Sequence, residues 1–275
     1  MPDLAEVEFY RKRWHLAARG ERVVAVHAHD HKKLLRGLDV PALRRALVGA
    51  RFEDSQAAAK QMLFRFTGPA WLGIHLGMSG ELIVSARDHV PAKHDHLVLF
   101  TAQHALVFSD PRMFGRVEFN VSPEPPAWWT RVAPALLSPP FTAKAVGAFL
   151  QRRARAPIKA VLLMQERFPG VGNWMADEIL WRAAIHPRRP AGSLKPVEVR
   201  TLWRCCRLVA RQALTAIAGR GDKLPADLNV GIPDSWLFHH RWRAGGICPK
   251  TKKPLAYATI GGRTTCWSPP RQKFK

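Results

Sequence analysis

The sequence predicts an α+β fold in which two different halves follow one another. Three observations carry this prediction. Short apolar stretches punctuated by Gly, Pro, Asn and Asp run from about residue 22 to 120, which is typical of an antiparallel sandwich or barrel. Six prolines then interrupt residues 122–141. Helical periodicity follows from residue 142 to 218.

The same observations predict four parts of the chain. Residues 1–121 form an N-terminal helix with a β-sandwich, with one further helix near PALRRALVG. Residues 122–141 are a proline-rich linker. Residues 142–240 form a helical domain, and residues 241–275 form a terminal hairpin.

The opening MPDLAEVE places Pro2 directly before Asp3, with Glu6 and Glu8 behind them. One interpretation is an ordinary helix start, because proline is favoured in the first turn and acids there complement the helix dipole. Another is catalytic. Removal of Met1 leaves Pro2 as a free secondary amine beside carboxylates, which is an amine nucleophile for carbonyl chemistry. The opening alone leaves both open.

The helical half contains a joint at PGVGN. A helix stops at Pro169, turns through two glycines and restarts at Asn173, which predicts either a helix–two-turn–helix or an ordinary helical hairpin. In the first case Asn173 serves as helix cap or phosphate donor. The predicted helices of this half cover residues 142–152, 157–167, 174–184 and 195–218.

The C-terminal stretches KKPLAYATI and RTTCW flank Gly261 and Gly262, a two-residue hairpin signal. A four-cysteine zinc ribbon would have its ligands at the positions of Cys248, Thr251, Ser268 and Arg271. Only the first is a cysteine, and Ser, Thr and Arg do not form a tetrahedral thiolate site. The sequence therefore predicts the hairpin without metal, and no cofactor is expected.

Composition indicates the class of partner. The chain has 275 residues, and 43 Lys and Arg against 21 Asp and Glu give a formal net charge of +22 and a pI near 11.0. This balance favours a polyanion, most often nucleic acid, although a basic solvated surface or a ribosome-associated protein shares it. Ten Trp and thirteen Phe suit base stacking or wedge insertion.

The chain shows no stretch long enough to span a bilayer and no apolar signal segment at its start. Two of its four cysteines are adjacent, unlike a secreted disulfide framework. We therefore expect reduced thiols, no membrane partner and a cytoplasmic location, associated with the nucleoid in a bacterium.

Taken in order, these pieces resemble the formamidopyrimidine-DNA glycosylase and endonuclease VIII family of base-excision repair enzymes. MPDLAEVE resembles the family's N-terminal MPELPEVE, and IHLGMSG, KHDH and DPRMFG resemble its sandwich motifs. GVGN with the helix ending in IHP resembles its helix–two-turn–helix, and GGRTT resembles its finger hairpin. The resemblance covers nearly the whole chain and implies a zincless-finger member.

The resemblance implies catalytic roles. Pro2 attacks C1′ of the damaged nucleoside and forms a Schiff base, Asp3 protonates the sugar ring oxygen, and Glu6 contacts the same pocket. Lys60 approaches the lesion phosphate and takes part in proton transfer. Arg263 contacts phosphates and takes part in a second elimination. The expected activity is that of a bifunctional glycosylase and abasic-site lyase with β or β,δ elimination.

The resemblance also implies DNA-binding roles, with duplex DNA carrying a damaged base or an abasic site as the partner of a monomer. The base is reached only by flipping it from the stack. Phe114 then wedges between bases, Arg112 faces the orphaned partner, and Met78 helps to fill the gap. Three further residues match phosphate contacts, namely His94, Lys159 and Asn173. Without the resemblance, we would interpret Lys60 as a surface lysine, and Met78 and Phe114 as core residues.

The chain departs from the family pattern where it has Asp3 instead of Glu, one methylene shorter, and Ala5 instead of a second proline. Catalytic positioning is sensitive at about the 1 Å level. The alternative function is therefore a damaged-DNA or abasic-site binding protein with weak or lost base excision. The loop at residues 219–242 differs from that of relatives that remove oxidised purines, so the damaged base is not specified.

Overall fold

The computed structural model of this chain describes residues 2–29, 33–35, 37–242 and 245–274. Its α-helices are α1 (Leu4–Ala18), α2 (Val40–Leu47), α3 (Ala127–Thr130), α4 (Ala143–Arg152), α5 (Ile158–Leu162), α6 (Asn173–Ala183) and α7 (Pro196–Ala218). Its strands are β1 (Ala25–Ala28), β2 (Phe52–Ala58), β3 (Gln61–Phe66), β4 (Ala70–His75), β5 (Glu81–Ala86), β6 (Asp95–Phe100), β7 (His104–Ser109), β8 (Arg116–Val121), β9 (Ala256–Ile260) and β10 (Arg263–Trp267). Short 3₁₀ helices cover Lys33–Leu35, Ala191–Ser193 and Leu237–His240.

The chain groups into two compact units, and the first comprises residue 2 and the described residues within 6–132 and 218–224. Two antiparallel four-stranded sheets build it, in the orders β1-β6-β7-β5 and β2-β3-β4-β8. The second sheet is made largely of consecutive strands because short turns join β2, β3 and β4. In β3, Met62, Phe64 and Phe66 are buried on one face, and on the other face Leu63 is buried while Arg65 is exposed.

Helix α1 contacts both sheets of the first unit. The fully buried Trp14 packs against Phe64 of β3 with 5.2 Å between ring centroids, and its indole N–H donates to the carbonyl of Ile83 in β5 at 3.0 Å. Phe52 and Phe66 stack at 5.3 Å in the same core. Burial of these large side chains is the main stabilising contribution here.

Residues 218–224 belong to the first unit although the predicted domain limits assign them to the helical half. Lys12 of α1, which is buried, binds this segment. Its ammonium donates to the carbonyl of Ala218 at 2.7 Å and to that of Lys223 at 3.3 Å. A lysine ammonium is well placed at carbonyls that no longer have a helical partner.

The second unit comprises residues 3–5, 133–217 and 225–274 of the described chain and is mainly helical. Thr142 is the N-cap of helix α4, and its hydroxyl accepts from the N–H of Ala145 at 3.1 Å. Helices α4, α6 and α7 lie within one residue of their predicted limits.

Helix α5 is shorter than predicted, since it ends at Leu162 and not at residue 167. The reason is Gln165. Its side-chain amide donates to the carbonyls of Leu163 and Val171 at 3.0 and 2.9 Å, and its oxygen accepts from the N–H of Gly170 at 2.9 Å. The side chain of Gln165 thus takes the place of helical hydrogen bonds for backbone groups in the turns before α6. The chain can therefore leave the helix without leaving these groups unpaired.

The terminal hairpin pairs β9 with β10 in antiparallel register, with Ile260 opposite Arg263 across the turn. Beneath it lies a buried apolar cluster made of Trp181, Leu237, Cys248, Leu255 and Cys266, with Tyr257 packed against it. The predicted α+β class, with an N-terminal helix and antiparallel sheets followed by helices, is confirmed. Within the described residues, no helix combines the length and apolar content that crossing a membrane requires.

Candidate functional site

The N-terminal opening does not form a helix start at Pro2. Helix α1 begins at Leu4, so Pro2 and Asp3 precede it, and the interpretation of Pro2 as a first-turn helical proline is wrong. The N–H of Leu4 donates to the carbonyl of Gly170 at 2.9 Å. The start of α1 is thereby held against the turn that leads into α6.

Asp3 lies fully buried at the N-terminus of α6. Its Oδ2 accepts a hydrogen bond from the backbone N–H of Met175 at 3.2 Å. The N-cap residue of α6 is Gly172, which has no side chain to accept the unpaired N–H groups of the first turn. Asp3 supplies that acceptor from elsewhere in the chain, and the helix dipole favours a negative group at this position.

Gly172 as N-cap also corrects the interpretation of Asn173. Asn173 is the first residue of α6, and its side chain does not cap the helix. Its amide nitrogen donates instead to the carbonyl of Thr264 in β10 at 2.9 Å. The residue therefore joins the helix start to the finger hairpin, with one amide hydrogen left for another acceptor.

Glu6 and Lys60 are both in the first unit and both about 6% exposed. Lys60 follows Ala59, which has a φ of 56°, in the turn between β2 and β3. Near it is His75, a residue that we did not single out from the sequence although it lies in the quoted motif IHLGMSG. Burial, helped by the charges of Lys60 and Arg116, lowers the pKa of His75.

The loop after β7 presents the expected wedge residues. Arg112 is exposed, Phe114 is 53% exposed, and the Arg112 guanidinium carbon lies 5.1 Å from the centroid of the Phe114 ring. Exposed apolar side chains mark interaction sites when they cluster, and Met113, next to Phe114, is also 39% exposed. The expectation that Phe114 would be core without the family pattern is therefore not met.

A fully buried carboxylate, Asp110, organises this loop. Its Oδ2 accepts from the N–H of Gly115 at 2.7 Å, and its Oδ1 accepts from the N–H of Arg112 at 3.2 Å and from the hydroxyl of Ser79 at 2.7 Å. This role of the aspartate in DPRMFG was not predicted from the sequence. Aspartate side chains commonly bind backbone N–H groups a few residues later in turns, and that preference could have indicated it.

The half-buried Met78 is next to Ser79 and hence to the same loop. Gly77, before it, has a φ of +64°, and a Cβ there would lie 2.3 Å from the backbone carbon of Phe114. Only glycine allows this approach. His94 is half-buried, and its carbonyl accepts from the N–H of Asp110 at 3.0 Å. Asp110 thus brings Met78, His94, Arg112 and Phe114 into one region of the first unit.

Lys159 is not available for the expected phosphate contact, and that prediction is wrong. Its side chain is fully buried. The ammonium donates to Asp177 Oδ1 at 2.5 Å and to the carbonyl of Asn173 at 2.7 Å. Burial lowers the pKa of Lys159, and the charge of Asp177 opposes that shift. Its role is internal, because it ties α5 to α6.

Asp177 extends this buried pair to the finger. Its Oδ2 accepts from Arg241 at 2.6 Å and from the backbone N–H of Cys266 in β10 at 3.1 Å. Both side-chain partners, Lys159 and Arg241, are almost fully shielded from solvent. Two cations and one backbone N–H therefore bind the buried carboxylate of Asp177. A charged group is tolerated in a core only when it is paired and hydrogen-bonded in this way.

Arg263 is exposed beside the hairpin turn. The turn residue Gly261 has a φ of +61°, and a Cβ there would lie 2.7 Å from the Cβ of Ala160 in α5. The hairpin turn therefore rests on α5, and Arg263 projects from a supported position.

The four positions at which a zinc ribbon would have its ligands are linked by hydrogen bonds. Cys248 Sγ accepts from the indole N–H of Trp181 and from the N–H of Thr251, each at 3.4 Å, and the hydroxyls of Thr251 and Ser268 are 3.3 Å apart. Arg271 donates to the carbonyls of Trp181 at 2.6 Å and Arg182 at 2.9 Å, at the end of α6. We call Cys248, Thr251 and Ser268 the thiol cluster.

The thiol cluster does not fit a zinc ion, because one thiol and two hydroxyls lack the donor set and the hydroxyls bind each other. No group of three or more His, Cys, Asp or Glu suited to a metal occurs among the described residues. Burial of Cys248 raises its pKa, but hydrogen bonds from Ser268, Thr251 and Trp181 outweigh burial and lower the pKa to about 7. All four cysteines are free thiols.

Comparisons with known proteins agree with this arrangement. Residues 1–117 match the model of the formamidopyrimidine-DNA glycosylase N-terminal domain, and residues 132–221 match that of the formamidopyrimidine-DNA glycosylase H2TH domain. The formamidopyrimidine-DNA glycosylase of Roseiflexus sp. (strain RS-1) is 37% identical over 274 residues, which cover 99% of this chain and 100% of the relative. That of Chloroflexus aurantiacus is 32% identical over 271 residues, covering 98% and 96%.

Solved structures show the same fold. The complex of wild-type Lactococcus lactis Fpg with N7-benzyl-Fapy-dG containing DNA matches with a TM-score of 0.86 at 23% identity, covering 99% of this chain and 100% of that one. The complex of the same protein with abasic-site containing DNA matches with a TM-score of 0.85 at 22% identity and the same coverage. The resemblance inferred from the motifs is confirmed, and the chain belongs to the formamidopyrimidine-DNA glycosylase family.

Proposed function

We propose that this protein is a DNA glycosylase that removes a damaged base from duplex DNA and then cleaves the strand as an abasic-site lyase. The observation that carries the proposal is the opening itself: Pro2 stands outside α1 and directly before Asp3, whose carboxylate is held at the start of α6. Family membership and relatives bound to damaged or abasic-site DNA support it.

In the proposed reaction the nitrogen of Pro2, freed by removal of Met1, forms a bond to C1′ while the glycosidic bond breaks. The sugar ring opens as its oxygen gains a proton, and the nitrogen lone pair completes an iminium. A secondary amine gives an iminium with a permanent positive charge, which acidifies the neighbouring C2′–H. Loss of that proton expels the 3′ phosphate oxygen by β-elimination, and water releases Pro2.

Asp3 is the proposed acid for the ring oxygen, because general-acid catalysis needs a carboxyl within hydrogen-bond reach of the atom it protonates. Glu6 and Lys60 are nearly buried polar groups, which suits a role in positioning and proton transfer. The low pKa of His75 leaves a neutral imidazole near Lys60 at pH 7. We propose that Lys60 approaches the lesion phosphate and takes part in proton transfer.

Recognition is assigned to the loop that Asp110 organises. Flipping a nucleotide costs a few kcal/mol of stacking and pairing. Phe114 is proposed to fill the gap as a wedge, Arg112 to face the unpaired base and Met78 to support them. The exposure of Phe114 and Arg112 supports this assignment, as does the attachment to Asp110 of their loop and of Ser79, the neighbour of Met78.

Phosphate contacts are assigned to His94, Asn173 and Arg263, and Arg263 is also proposed to assist a second elimination. Arg263 is exposed and Asn173 retains one donor. Lys159 has no part in this set because its ammonium is buried. We propose that the protein acts as a monomer with no metal in the finger, and that its domains follow the limits predicted from the sequence apart from residues 218–224.

Borohydride trapping on abasic-site DNA tests the nucleophile. The wild-type protein should give a covalent adduct that maps to Pro2, while DNA with a tetrahydrofuran in place of the abasic sugar, which lacks the aldehyde, gives none. Intact mass should show that Met1 is absent. An adduct that maps to a lysine, or equal trapping by Pro2→Gly with attachment elsewhere, contradicts the assignment.

A second candidate function is binding of damaged or abasic DNA with little base excision. The observation that favours it is Asp3, which is one methylene shorter than Glu, fully buried and bonded to Met175. A panel of duplexes carrying different lesions separates the two. Tight binding and trapping on abasic DNA with no release of any damaged base would select the second candidate.

A further inference from the structure

The exposed side of helix α7 carries a row of arginines. They are spaced by four, three and four residues, so they lie on one face of the helix: Arg200, Arg204, Arg207 and Arg211. Glu198 is the only acidic residue of α7, and it is already paired with Arg189 at 2.5 Å. The face therefore concentrates positive charge without compensation from its own helix.

Three of these arginines have no carboxylate partner within the part of the chain that the structure describes, namely Arg200, Arg204 and Arg211, and all three are exposed. Arg207 differs. Its guanidinium donates to the carbonyls of Leu136 at 3.1 Å and Ser138 at 3.3 Å and lies over the ring of Trp203. Arg207 is thus fixed, while Arg204 and Arg211 remain available on either side of it.

A groove of about 340 Å³ is lined by three of these arginines and by Trp203, Cys205 and Leu208. At 3.6 residues per turn, Cys205 and Leu208 lie on one side of the arginine row and Trp203 lies on the other; we call Cys205 and Leu208 the floor. The indole N–H of Trp203 is used by the carbonyl of Phe141 at 2.7 Å, burial raises the pKa of Cys205 so that its thiol is neutral, and Leu208 is 43% exposed. Arg204 and Arg211 lie beside the floor on the helix surface, and Arg207 completes the lining.

The groove lies near the C-terminal end of α6. Arg182, in the last turn of α6, donates to Gln212 of α7 at 2.5 Å, and the charges of Arg182 and Arg271 act on Cys205. Asn173 stands at the other end of α6, about 14 Å away at 1.5 Å per residue. The groove is therefore separate from the helix start to which phosphate binding is assigned.

From this combination we infer that the α7 groove binds an acidic segment of another protein that carries large apolar side chains between its carboxylates. Carboxylates pair with Arg204 and Arg211, and arginine suits them because its planar fork binds carboxylates in two places. An apolar side chain covers Leu208 and Cys205. Neither feature belongs to the base-excision site, so the inference stands independently of the proposed enzymatic activity.

The apolar floor is the reason for choosing a peptide over DNA. A phosphate backbone satisfies arginines, but it offers nothing to bury an exposed leucine and a neutral thiol, and removing apolar surface from water contributes about 25 cal/mol per Å². A peptide with both kinds of side chain satisfies the rim and the floor together.

Fluorescence anisotropy tests the inference with a short fluorescein-labelled peptide of Asp and Glu around one Leu and one Phe. A control peptide has Ser in place of both apolar residues. The protein variants are the double charge reversal Arg204→Glu/Arg211→Glu, the floor variant Leu208→Ser, and Arg200→Glu as a control on the same helix but outside the groove. Circular dichroism checks that each variant is folded.

The double reversal should weaken binding of the apolar-containing peptide at least about tenfold, as opposed charges at an interface do. Leu208→Ser should weaken it severalfold and abolish the preference over the control peptide, whereas Arg200→Glu changes it little. The affinity for undamaged duplex DNA and the yield of borohydride trapping should not change in these variants. Equal binding of the two peptides, or an equal loss of duplex DNA affinity in the double reversal, overturns the inference, the second outcome marking a DNA surface.

Discussion

The carboxylate of Asp3 accepts a hydrogen bond from the backbone N–H of Met175, 3.2 Å away and 172 residues later in the chain. This contact places the proposed general acid at the start of α6, where Gly172 leaves the first-turn N–H groups without a cap. The residue after the proposed nucleophile is therefore also part of a helix terminus. Its two roles make different demands on the length of the side chain.

Substitution of Asp3 should separate base excision from strand cleavage. Asp3→Asn keeps an acceptor for Met175 but cannot donate a proton as a carboxylic acid does, so excision of a damaged base should fall by about 10²-fold or more. Trapping on a preformed abasic site should persist, since no base remains to be lost. Gel assays on the two substrates measure both steps.

Asp3→Glu is the matched variant, because it restores the family side chain. A gain in base excision shows that reach limits the native enzyme. Equal losses of excision and trapping in Asp3→Asn would contradict the division of labour.

Removal of the Asp110 carboxylate should disorder the wedge. Asp110→Ala leaves the N–H groups of Arg112 and Gly115 and the hydroxyl of Ser79 without their acceptor. Each lost bond to a charged group costs about 1.5–3 kcal/mol. We expect preference for tetrahydrofuran-containing over intact duplex to drop about tenfold or more, as measured by anisotropy. Ser79→Ala removes only one of the three hydrogen bonds to Asp110 and should have a smaller effect. If Asp110→Ala keeps the wild-type preference for tetrahydrofuran-containing duplex, the loop has no part in lesion recognition.

Lys159→Met should destabilise the protein without changing the salt dependence of DNA binding. The ammonium is fully buried against Asp177, and removing one partner of a buried pair costs about 3–5 kcal/mol. Thermal unfolding measures the loss, and the slope of log affinity against log salt measures phosphate contacts. A slope smaller by one unit with unchanged stability would return Lys159 to the phosphate-binding set.

Arg263→Ala should reduce that slope by about one unit, because Arg263 is exposed on a hairpin turn supported by α5. Affinity should fall for damaged and intact duplexes alike. Arg87→Ala, at another exposed arginine, is the control. If the slope stays the same in Arg263→Ala, this side chain lies off the DNA.

The thiol cluster should make the finger more stable at pH 8.5 than at pH 6. The pKa of Cys248 is about 7 in the folded protein and 9.0 when unperturbed, so the unfolded chain binds more protons between these values. Stability from this group is then complete above pH 9 and is lost as pH falls through 7, at about 1.4 kcal/mol per pKa unit. Hydrogen exchange of β9 and β10 amides measures it.

Cys248→Ser is the control for that prediction, because it removes the thiol and should flatten the difference between the two pH values. Metal analysis and chelator titration belong to the same experiment. Stoichiometric zinc, or loss of DNA binding on chelation, contradicts a metal-free finger.

By itself the sequence determined the local parts of this protein. Alternation of apolar residues predicted the strands of the two sheets, 3.6-residue periodicity predicted α4, α6 and α7 to within one residue, and Gly261 with Gly262 predicted the finger turn. These features depend on contacts between residues a few positions apart, which a pattern along the chain records. The family was also recognisable there, since its motifs are short and contiguous.

Only the tertiary structure decided which polar side chains face one another. Lys159 reads as an exposed basic residue until Asp177 and Arg241 surround it, and Gln165 reads as helical until it binds the turns before α6. Asp3 meets Met175, and Cys248 meets Trp181, across long stretches of chain. A buried polar group takes whichever partner the packed backbone brings within about 3 Å. That choice depends on the whole fold, because burial without a partner costs more than any local preference can offset.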